Sequence, residues 1–154
     1  MNDRILILYG SVTGNSEIAA QRTQRALRER GYDPVLEDMT HVKAPLLLDF
    51  GTVLVVTSTY GEGEPPDGCE ALHEAVVKDE SFQLNGQRFA VLALGDTGYE
   101  FFCQCGRDYD TALERAGGHR LCARVDCDID FDDEHEAWTA AVLDALTHER
   151  AGAA

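Results

Sequence analysis

The sequence has few basic residues and no long apolar run. It contains 13 lysines and arginines against 28 aspartates and glutamates, so its 154 residues carry a formal net charge of −15. Nucleic acids and anionic membranes are negatively charged and would repel such a chain. No apolar stretch approaches the ~18 residues that span a bilayer, and the amino-terminal apolar run is too short for a signal peptide. We therefore expect a cytoplasmic protein that binds neither nucleic acid nor membrane.

The sequence also lacks the cysteine pattern of a disulfide framework. The five cysteines include no CxxC pair, and an odd number does not complete a disulfide framework. Buried free thiols in a reducing compartment are expected. The five histidines are scattered without ligand spacing, so no metal site is predicted. A chain of this length makes one domain, which we place at residues 1–150, with 151–154 as a frayed tail.

Apolar runs alternate along the chain with amphipathic segments. The runs predict strands at residues 4–9, 34–38, 52–58, 88–94 and 120–125, and the amphipathic segments predict helices at 16–30, 68–78, 104–116 and 133–146. Only the link between the second and third strands lacks a clear helical period. Continuous apolar strands that alternate with helices indicate an α/β fold, in which a parallel sheet is covered on both faces.

Ligands of such sheets bind at the carboxyl ends of the strands, near the switch in strand order. Three loops begin there, at residues 10–16, 59–68 and 95–103, and they are the richest in glycine, hydroxyl and aromatic residues. Their coincidence predicts a binding site at this edge of the sheet.

The first of these loops joins a strand to the start of a helix. Unpaired N–H groups and the helix dipole favour an anion at such a place. Side chains of Ser11, Thr13, Asn15 and Ser16 can add donors, and Gly14 allows the backbone to close around a phosphate. The P-loop lysine is missing, so the donors are neutral. A plain turn with Asn15 or Ser16 as the helix N-cap remains the alternative.

The other two loops each carry a tyrosine. Tyr60 lies among glycines after the third strand, and Tyr99 follows a glycine-rich segment after the fourth. Two such rings can enclose a flat ligand. Phe101 and Phe102 are expected in the core, because the helix that follows needs an apolar face.

These motifs, "YGSVTGNSE", "TSTYGEGEPPD" and "LALGDTGYEFFCQCGRDYD", resemble the phosphate loop and the two ring-binding loops of FMN-binding flavodoxins. The resemblance is strongest to the FMN domain of the sulfite reductase and cytochrome P450 reductase type and to small stand-alone flavodoxins. It covers nearly the whole chain and implies a flavodoxin-like fold, with a five-stranded parallel sheet in the order 2-1-3-4-5 and helices on both faces.

The resemblance also assigns cofactor-binding roles to individual residues. It implies a phosphate loop at Ser11, Val12, Thr13, Gly14, Asn15 and Ser16, a first ring loop at Thr59, Tyr60, Gly61, Glu62 and Gly63, and a second ring loop at Leu94, Gly95, Asp96, Tyr99, Phe102 and Cys103. The Gly61 peptide can turn its carbonyl toward flavin N5, Asp126 lies near the flavin edge, and Trp138 packs in the core. The run "GDTG" departs from the family pattern, so Gly98 is expected to loosen the segment before Tyr99.

A flavodoxin carries electrons one at a time and is not itself an enzyme. The resemblance implies an NAD(P)H-dependent flavodoxin or ferredoxin reductase as donor and an acceptor enzyme of unknown identity. The acidic surface would steer a basic redox partner to the chain, which we expect to be a monomer. Three alternatives remain: a nicotinamide-dependent quinone reductase, an FMN domain cut from a larger diflavin reductase, and a receiver domain. Met1 and the short tail favour an independent protein, and the strand ends lack the aspartates of a receiver.

Overall fold

The computed structural model describes residues 3–153, with side chains through residue 149. Its strands are β1 (Ile5–Gly10), β2 (Val35–Asp38), β3 (Thr52–Ser58), β4 (Arg88–Leu94), β5 (His119–Arg120) and β6 (Val125–Cys127). Its α-helices are α1 (Asn15–Glu29), α2 (Glu70–His73), α3 (Gln104–Arg115) and α4 (Asp132–Ala153). A π-helical segment, Glu74–Lys78, continues α2, and two 3₁₀ helices, Met39–His41 and Ala44–Asp49, form the link that lacks a helical period in the sequence.

The strands form one parallel sheet in the order β2-β1-β3-β4-β5, as expected. The central strands are continuous apolar runs because helices cover both of their faces, and every residue of β3 is buried. Tyr9 of β1 pairs with Val56 of β3, which in turn pairs with Leu92 of β4. The three strands therefore end at the same edge, and the loops that follow them start side by side.

The fifth strand is split, which corrects the prediction of a single strand over residues 120–125. Both β5 and β6 pair with β4: Phe89 lies beside Arg120, and Leu92 lies beside Val125. From Phe89 to Leu92 the chain advances three residues on β4, whereas from Arg120 to Val125 it advances five. Two residues between β5 and β6 are therefore left without a partner on β4. This is possible at the sheet edge because Arg124 donates to Asp110 of α3 at 3.1 Å, an ion pair that binds the outer segment to the helix.

Two apolar cores lie on opposite faces of the sheet. Alternate residues of β1 and β3 face each way, so that one core packs α2 and α3 and the other packs α1 and α4. Trp138 of α4 is fully buried in the second core, as predicted.

The last helix is longer than the sequence pattern indicates. It continues from the predicted end at residue 146 to Ala153, although Thr147 and His148 are exposed and add nothing to the apolar stripe. The predicted frayed tail at 151–154 remains a prediction, since its last residue lies outside the described residues. Across residues 3–153, no helix has the length and hydropathy of a membrane span.

A buried histidine joins α4 to α1. His135 lies 2.9 Å from the Thr23 hydroxyl, measured from Nε2 to Oγ1, and Thr23 itself donates to the Ala19 carbonyl. Because the single hydroxyl proton is used there, Nε2 is the donor to Thr23, and the ring is the neutral Nε2–H tautomer. Burial lowers the pKa of His135, which keeps it neutral.

Candidate functional site

A cleft of about 530 Å³ opens at the carboxyl edge of the sheet, among the three loops that the sequence singles out. The predicted residues that line it are Val12, Thr13, Asn15, Thr59, Tyr60, Gly61, Leu94, Gly95, Asp96, Tyr99, Phe102 and Cys103. The lining residues absent from that prediction are Ser58, Phe101, Asp128, Ile129 and Phe131. Twelve of the predicted residues therefore lie around one cleft, and five further residues of its wall were not predicted.

A larger and more open hollow, of about 640 Å³, lies at the amino edge of the sheet. Its charged side chains pair with each other: Arg88 donates to Glu149 at 2.8 Å. Ligands of open parallel sheets bind at the opposite edge, so the cleft among the three loops is the candidate site.

The turn after β1 leaves the start of α1 without a side-chain cap. Gly14 is the N-cap residue, with φ +91°. Because glycine has no side chain, the described chain has no side-chain hydrogen bond from the N-cap position to the first turn of α1. The alternative that Asn15 or Ser16 caps the helix is therefore wrong, since both lie within it. A residue with a Cβ is strained at this φ, so glycine is required by the backbone itself. Amides of the first turn remain available to an anion, as the phosphate-loop prediction requires.

Side chains of this turn divide into exposed and buried donors. Thr13 is exposed on the cleft, whereas Ser16 is completely buried, with its hydroxyl oxygen 2.7 Å from that of Ser58. Ser11 accepts a hydrogen bond from the Gly14 amide at 2.7 Å, and neither Ser11 nor Gly14 lines the cleft. Among the serine and threonine side chains of this turn, that of Thr13 is therefore the one exposed on the cleft.

One carboxylate in the first turn of α1 is held by a tyrosine. Tyr9 donates to Glu17 at 2.8 Å, and burial together with this bond raises the pKa of Tyr9 to about 12. Among the described residues, no lysine or arginine lines the cleft. Any anion here must accordingly be bound by neutral donors.

The loop that carries Tyr60 closes on itself. Tyr60 and Glu64 exchange backbone hydrogen bonds of 2.7 and 2.8 Å, which leaves Gly61, Glu62 and Gly63 as a tight turn. Gly61 has φ +50°, and a Cβ built there would find its nearest neighbour at 3.9 Å, so backbone conformation rather than space requires glycine. Tyr60 is 44% exposed and faces the cleft, whereas Glu62 and Gly63 do not line it.

The loop that carries Tyr99 is held by carboxylates. Asp96 accepts from the Gly98 amide at 2.8 Å through its side chain and from the Tyr99 amide at 3.0 Å through its carbonyl. The departure at Gly98 therefore does not leave this segment without hydrogen bonds. Tyr99 is 68% exposed and stands free above the cleft.

A second carboxylate reaches this loop from the segment after β6. Thr97 donates to Asp128 through its hydroxyl at 2.6 Å and its amide at 3.1 Å. These bonds lower the pKa of Asp128.

Phe101 corrects the expectation that both phenylalanines are core residues. It is 37% exposed and lines the cleft beside the half-buried Phe102. The helix that follows does bury an apolar face, but it starts only at Gln104 and fills that face with Tyr109 and Leu113.

Cys103 supports the floor of the cleft. It is buried with φ +56°, and its thiol donates to carbonyls of Ala93 on β4 and Cys127 on β6, at 3.3 and 3.5 Å. Burial raises the pKa of the Cys103 thiol to about 12, so it stays protonated. The prediction of buried free thiols is confirmed for Cys69, Cys103, Cys105 and Cys127, whereas Cys122 is half-buried.

Asp126 is not among the residues that line the cleft. Its carboxylate pairs with Arg124 at 2.8 Å and lies 3.6 Å from Arg107 of α3. Asp128, two residues further on, lines the cleft instead. Nothing local distinguishes these two acids in the sequence, because the choice depends on where Thr97 lies in three dimensions.

The lining residues fit a flavin nucleotide. Uncapped amides and the Thr13 hydroxyl lie at one end, and two exposed tyrosines lie on the loops at the other. A doubly wound α/β sheet in this strand order, with a cleft at its carboxyl edge, defines the flavodoxin-like fold class.

Comparison with known proteins identifies the family. The flavodoxin family model matches residues 7–140, and the chain belongs to the flavodoxin family, which implies a flavin cofactor. The sulfite reductase [NADPH] flavoprotein alpha-component of Bacillus subtilis is 40% identical over all 154 residues, which make up 26% of that protein. The corresponding protein of Shewanella oneidensis is 39% identical over 142 residues, which make up 23% of it. The chain therefore spans about a quarter of the length of these curated relatives.

Solved flavodoxin structures match over almost their full length. The flavodoxin of Streptococcus pneumoniae TIGR4 superposes with a TM-score of 0.84 at 29% identity, covering 95% of this chain and 99% of that one. A cysteine-to-serine variant of the Pseudomonas aeruginosa flavodoxin gives a TM-score of 0.81 at 26% identity, covering 94% and 99%.

Proposed function

We propose that this chain binds FMN in the cleft and transfers electrons one at a time between a reductase and an acceptor enzyme. The observation that carries the proposal is the placement of two exposed tyrosines, Tyr60 and Tyr99, on loops beside one cleft, whose other end is the uncapped start of α1. A phosphate and a flat ring joined by a short polar chain need these two kinds of surface.

Each end of the cleft has its own task in this proposal. Amides of the first turn of α1 and the Thr13 hydroxyl bind the phosphate. Tyr60 and Tyr99 cover the ring. The Gly61 carbonyl, which can turn because glycine has no Cβ, would accept a hydrogen bond from an N–H group at the ring edge. Phe101, Phe102 and Ile129 exclude water from the ring. FMN, when bound, supplies the one-electron chemistry, while the protein sets its potential and access.

The proposed donor is an NAD(P)H-dependent flavodoxin or ferredoxin reductase with a basic docking face. A net charge of −15 would attract such a partner and accelerate encounter at low salt. Tyrosines on both sides of the ring leave little room for a nicotinamide to stack on it, so direct oxidation of NAD(P)H is not expected. We propose that the chain works as a monomer in the cytoplasm.

A second candidate function follows from the curated relatives. Identity of 40% over the whole chain to a flavoprotein component of NADPH-dependent sulfite reductase favours a role as the FMN module of such a reductase. The acceptor would then be a sulfite-reducing enzyme and the donor an NADPH-dependent flavoprotein module.

The test is to incubate the purified chain with excess FMN, remove free flavin and record the absorption spectrum. A yellow protein that releases FMN on denaturation, accepts electrons from an added NADPH-dependent reductase and does not oxidise NADPH alone supports the proposal. The rate with the reductase should fall as salt is raised. A colourless protein, or rapid NADPH oxidation without the reductase, would overturn it.

A further inference from the structure

Thr97 and Asp128 join two loops that are distant in sequence. The Thr97 hydroxyl donates to one carboxylate oxygen at 2.6 Å, and the Thr97 amide donates to the other at 3.1 Å. The Ile129 amide also donates to Asp128, at 2.8 Å. One carboxylate thus accepts three hydrogen bonds from two segments, and we name the Thr97 and Asp128 side chains together the Thr97–Asp128 clamp.

The clamp lies between two exposed apolar side chains of the cleft. Tyr99 follows Thr97 by two residues, and Ile129 follows Asp128 directly; they are 68% and 65% exposed. Below the clamp, the Gly95 amide donates to the Cys127 carbonyl at 2.9 Å, so the two segments leave the sheet already paired. The clamp extends that pairing outward to the level of Tyr99.

The two tyrosine loops are held in different ways. The Tyr60 loop closes through its own backbone, with both bonds between Tyr60 and Glu64. The Tyr99 loop has its own Asp96 turn but depends on Asp128, 31 residues away, for an anchor outside itself. Thr97 is exposed and Asp128 half-buried, so their bonds add little to global stability and act mainly on local geometry.

We infer that Thr97 and Asp128 are positioning residues, which fix the segment of Tyr99 so that its ring lies against the flavin. This inference rests on the proposed function, because it assigns the flavin ring to the side of the cleft that Tyr99 covers. It concerns the ring and not the phosphate, since no hydrogen bond among the described residues joins the clamp to the turn after β1.

The test uses two variants of matched shape, Thr97→Val and Asp128→Asn. The first removes the hydroxyl donor and keeps the amide, and the second removes the charge and one acceptor. Thr97→Ser restores the hydroxyl, and Asp130→Asn removes an exposed charge from the same segment outside the clamp. Dissociation constants for FMN and riboflavin, hydrogen exchange of the residue 97–99 amides in the flavin-free chain, and its thermal midpoint are measured for each.

We expect Thr97→Val and Asp128→Asn to weaken FMN and riboflavin about tenfold and by the same factor, since the charged hydrogen bonds that they remove act on the ring alone. Exchange at 97–99 should accelerate while the thermal midpoint hardly moves. Thr97→Ser and Asp130→Asn should behave as the wild type.

Unchanged affinities, a loss confined to FMN, or a Thr97→Ser variant no better than Thr97→Val would overturn the inference. If the wild-type chain binds neither flavin, the proposed function fails and the flavin half of this inference fails with it. Hydrogen exchange in the flavin-free chain then still tests whether the clamp fixes the Tyr99 segment. Unaltered exchange rates of the residue 97–99 amides in both variants would refute this, and faster rates would support it.

Discussion

The two ends of the cleft are built by different means. At the end proposed to bind phosphate, called the phosphate end below, the donors come from one short turn between β1 and α1, whose geometry depends on Gly14 at φ +91° and on an uncapped helix start. At the ring end, loops after β3, β4 and β6 converge, and Asp128 ties two of them together from 31 residues away. The first end is local backbone geometry, and the second is tertiary structure.

This difference predicts that damage at one end leaves the other intact. A ligand with both parts should respond to changes at both ends, whereas one without a phosphate should respond only at the ring end. Riboflavin and FMN are therefore the pair of ligands that separates the two regions.

The largest effect is expected at the phosphate end. Thr13→Val removes an exposed hydroxyl from the cleft and should weaken FMN by about 1.5–3 kcal/mol, as for a hydrogen bond to a charged group. Riboflavin binding should not change, and Thr13→Ser should retain FMN affinity. Fluorescence titration with both ligands measures this, and equal losses for both would place the phosphate elsewhere.

Gly61→Ala tests whether the backbone conformation of residue 61 affects the flavin at the ring end. A residue with a Cβ at φ +50° is strained by about 1–2 kcal/mol. Since a methyl group at this position meets no atom closer than 3.9 Å, the strain should change the backbone conformation of residue 61 and leave its neighbours in place. The two one-electron midpoint potentials of the FMN-loaded protein should move relative to each other. Gly86→Ala is the matched control, since Gly86 has φ +77° and open space but lies far from the cleft. Potentials that stay as in the wild type would refute the role of Gly61.

Tyr99→Leu should have a smaller effect, spread over both ligands. Aromatic contacts contribute about 0.5–1.5 kcal/mol beyond the burial of area, which leucine partly replaces. FMN and riboflavin should weaken by the same factor, and Tyr99→Phe should bind almost as the wild type. A loss for FMN alone would contradict the assignment of Tyr99 to the ring.

The smallest effect is expected for the pH dependence of stability, through His135, which joins α4 to α1 below the phosphate end. Burial, the largest cause, and Arg22 lower the pKa of His135, while the Ala19 backbone, Asp132 and Glu136 oppose this. As pH falls below the unfolded value of about 6.5, the unfolded chain takes up a proton that the folded chain refuses, so the free energy of unfolding decreases. Buried His73 acts with the same sign on the other face of the sheet.

Urea unfolding of the flavin-free chain from pH 8 down to pH 5 measures this effect. In His135→Gln the free energy of unfolding should decrease less between pH 8 and pH 5 than in the wild type. His148→Gln changes an exposed position on the same helix and should leave this decrease unchanged. An identical pH dependence in wild type and His135→Gln would show that this histidine is not coupled to folding.

The same contrast explains what the sequence could and could not predict. Apolar runs define β3 and β4 to the residue, and the glycine and hydroxyl pattern after β1 marks the turn that leads into α1, because these signals are local. The break between β5 and β6 escaped prediction, since the segment around it is held by an ion pair between Arg124 and Asp110 of α3, which lie 14 residues apart. The burial of Ser16 against Ser58 likewise depends on a strand that lies beyond its own loop.

Residues of the ring end show the same limit. Phe101 follows the pattern of a core residue but lies on the cleft, and Asp126 and Asp128 are equivalent in the local sequence while only Asp128 meets Thr97. Which side chain faces the cleft is decided by the packing of segments far apart in the chain.

The most direct measurement is a fluorescence titration of the flavin-free wild-type chain with FMN and with riboflavin. We predict that flavin fluorescence is quenched saturably, with one binding site per chain. FMN should bind at least about tenfold more tightly than riboflavin, because its phosphate adds contacts. Equal affinities, or fluorescence that remains unquenched at excess protein, would contradict a cleft that binds phosphate at one end and the flavin ring at the other.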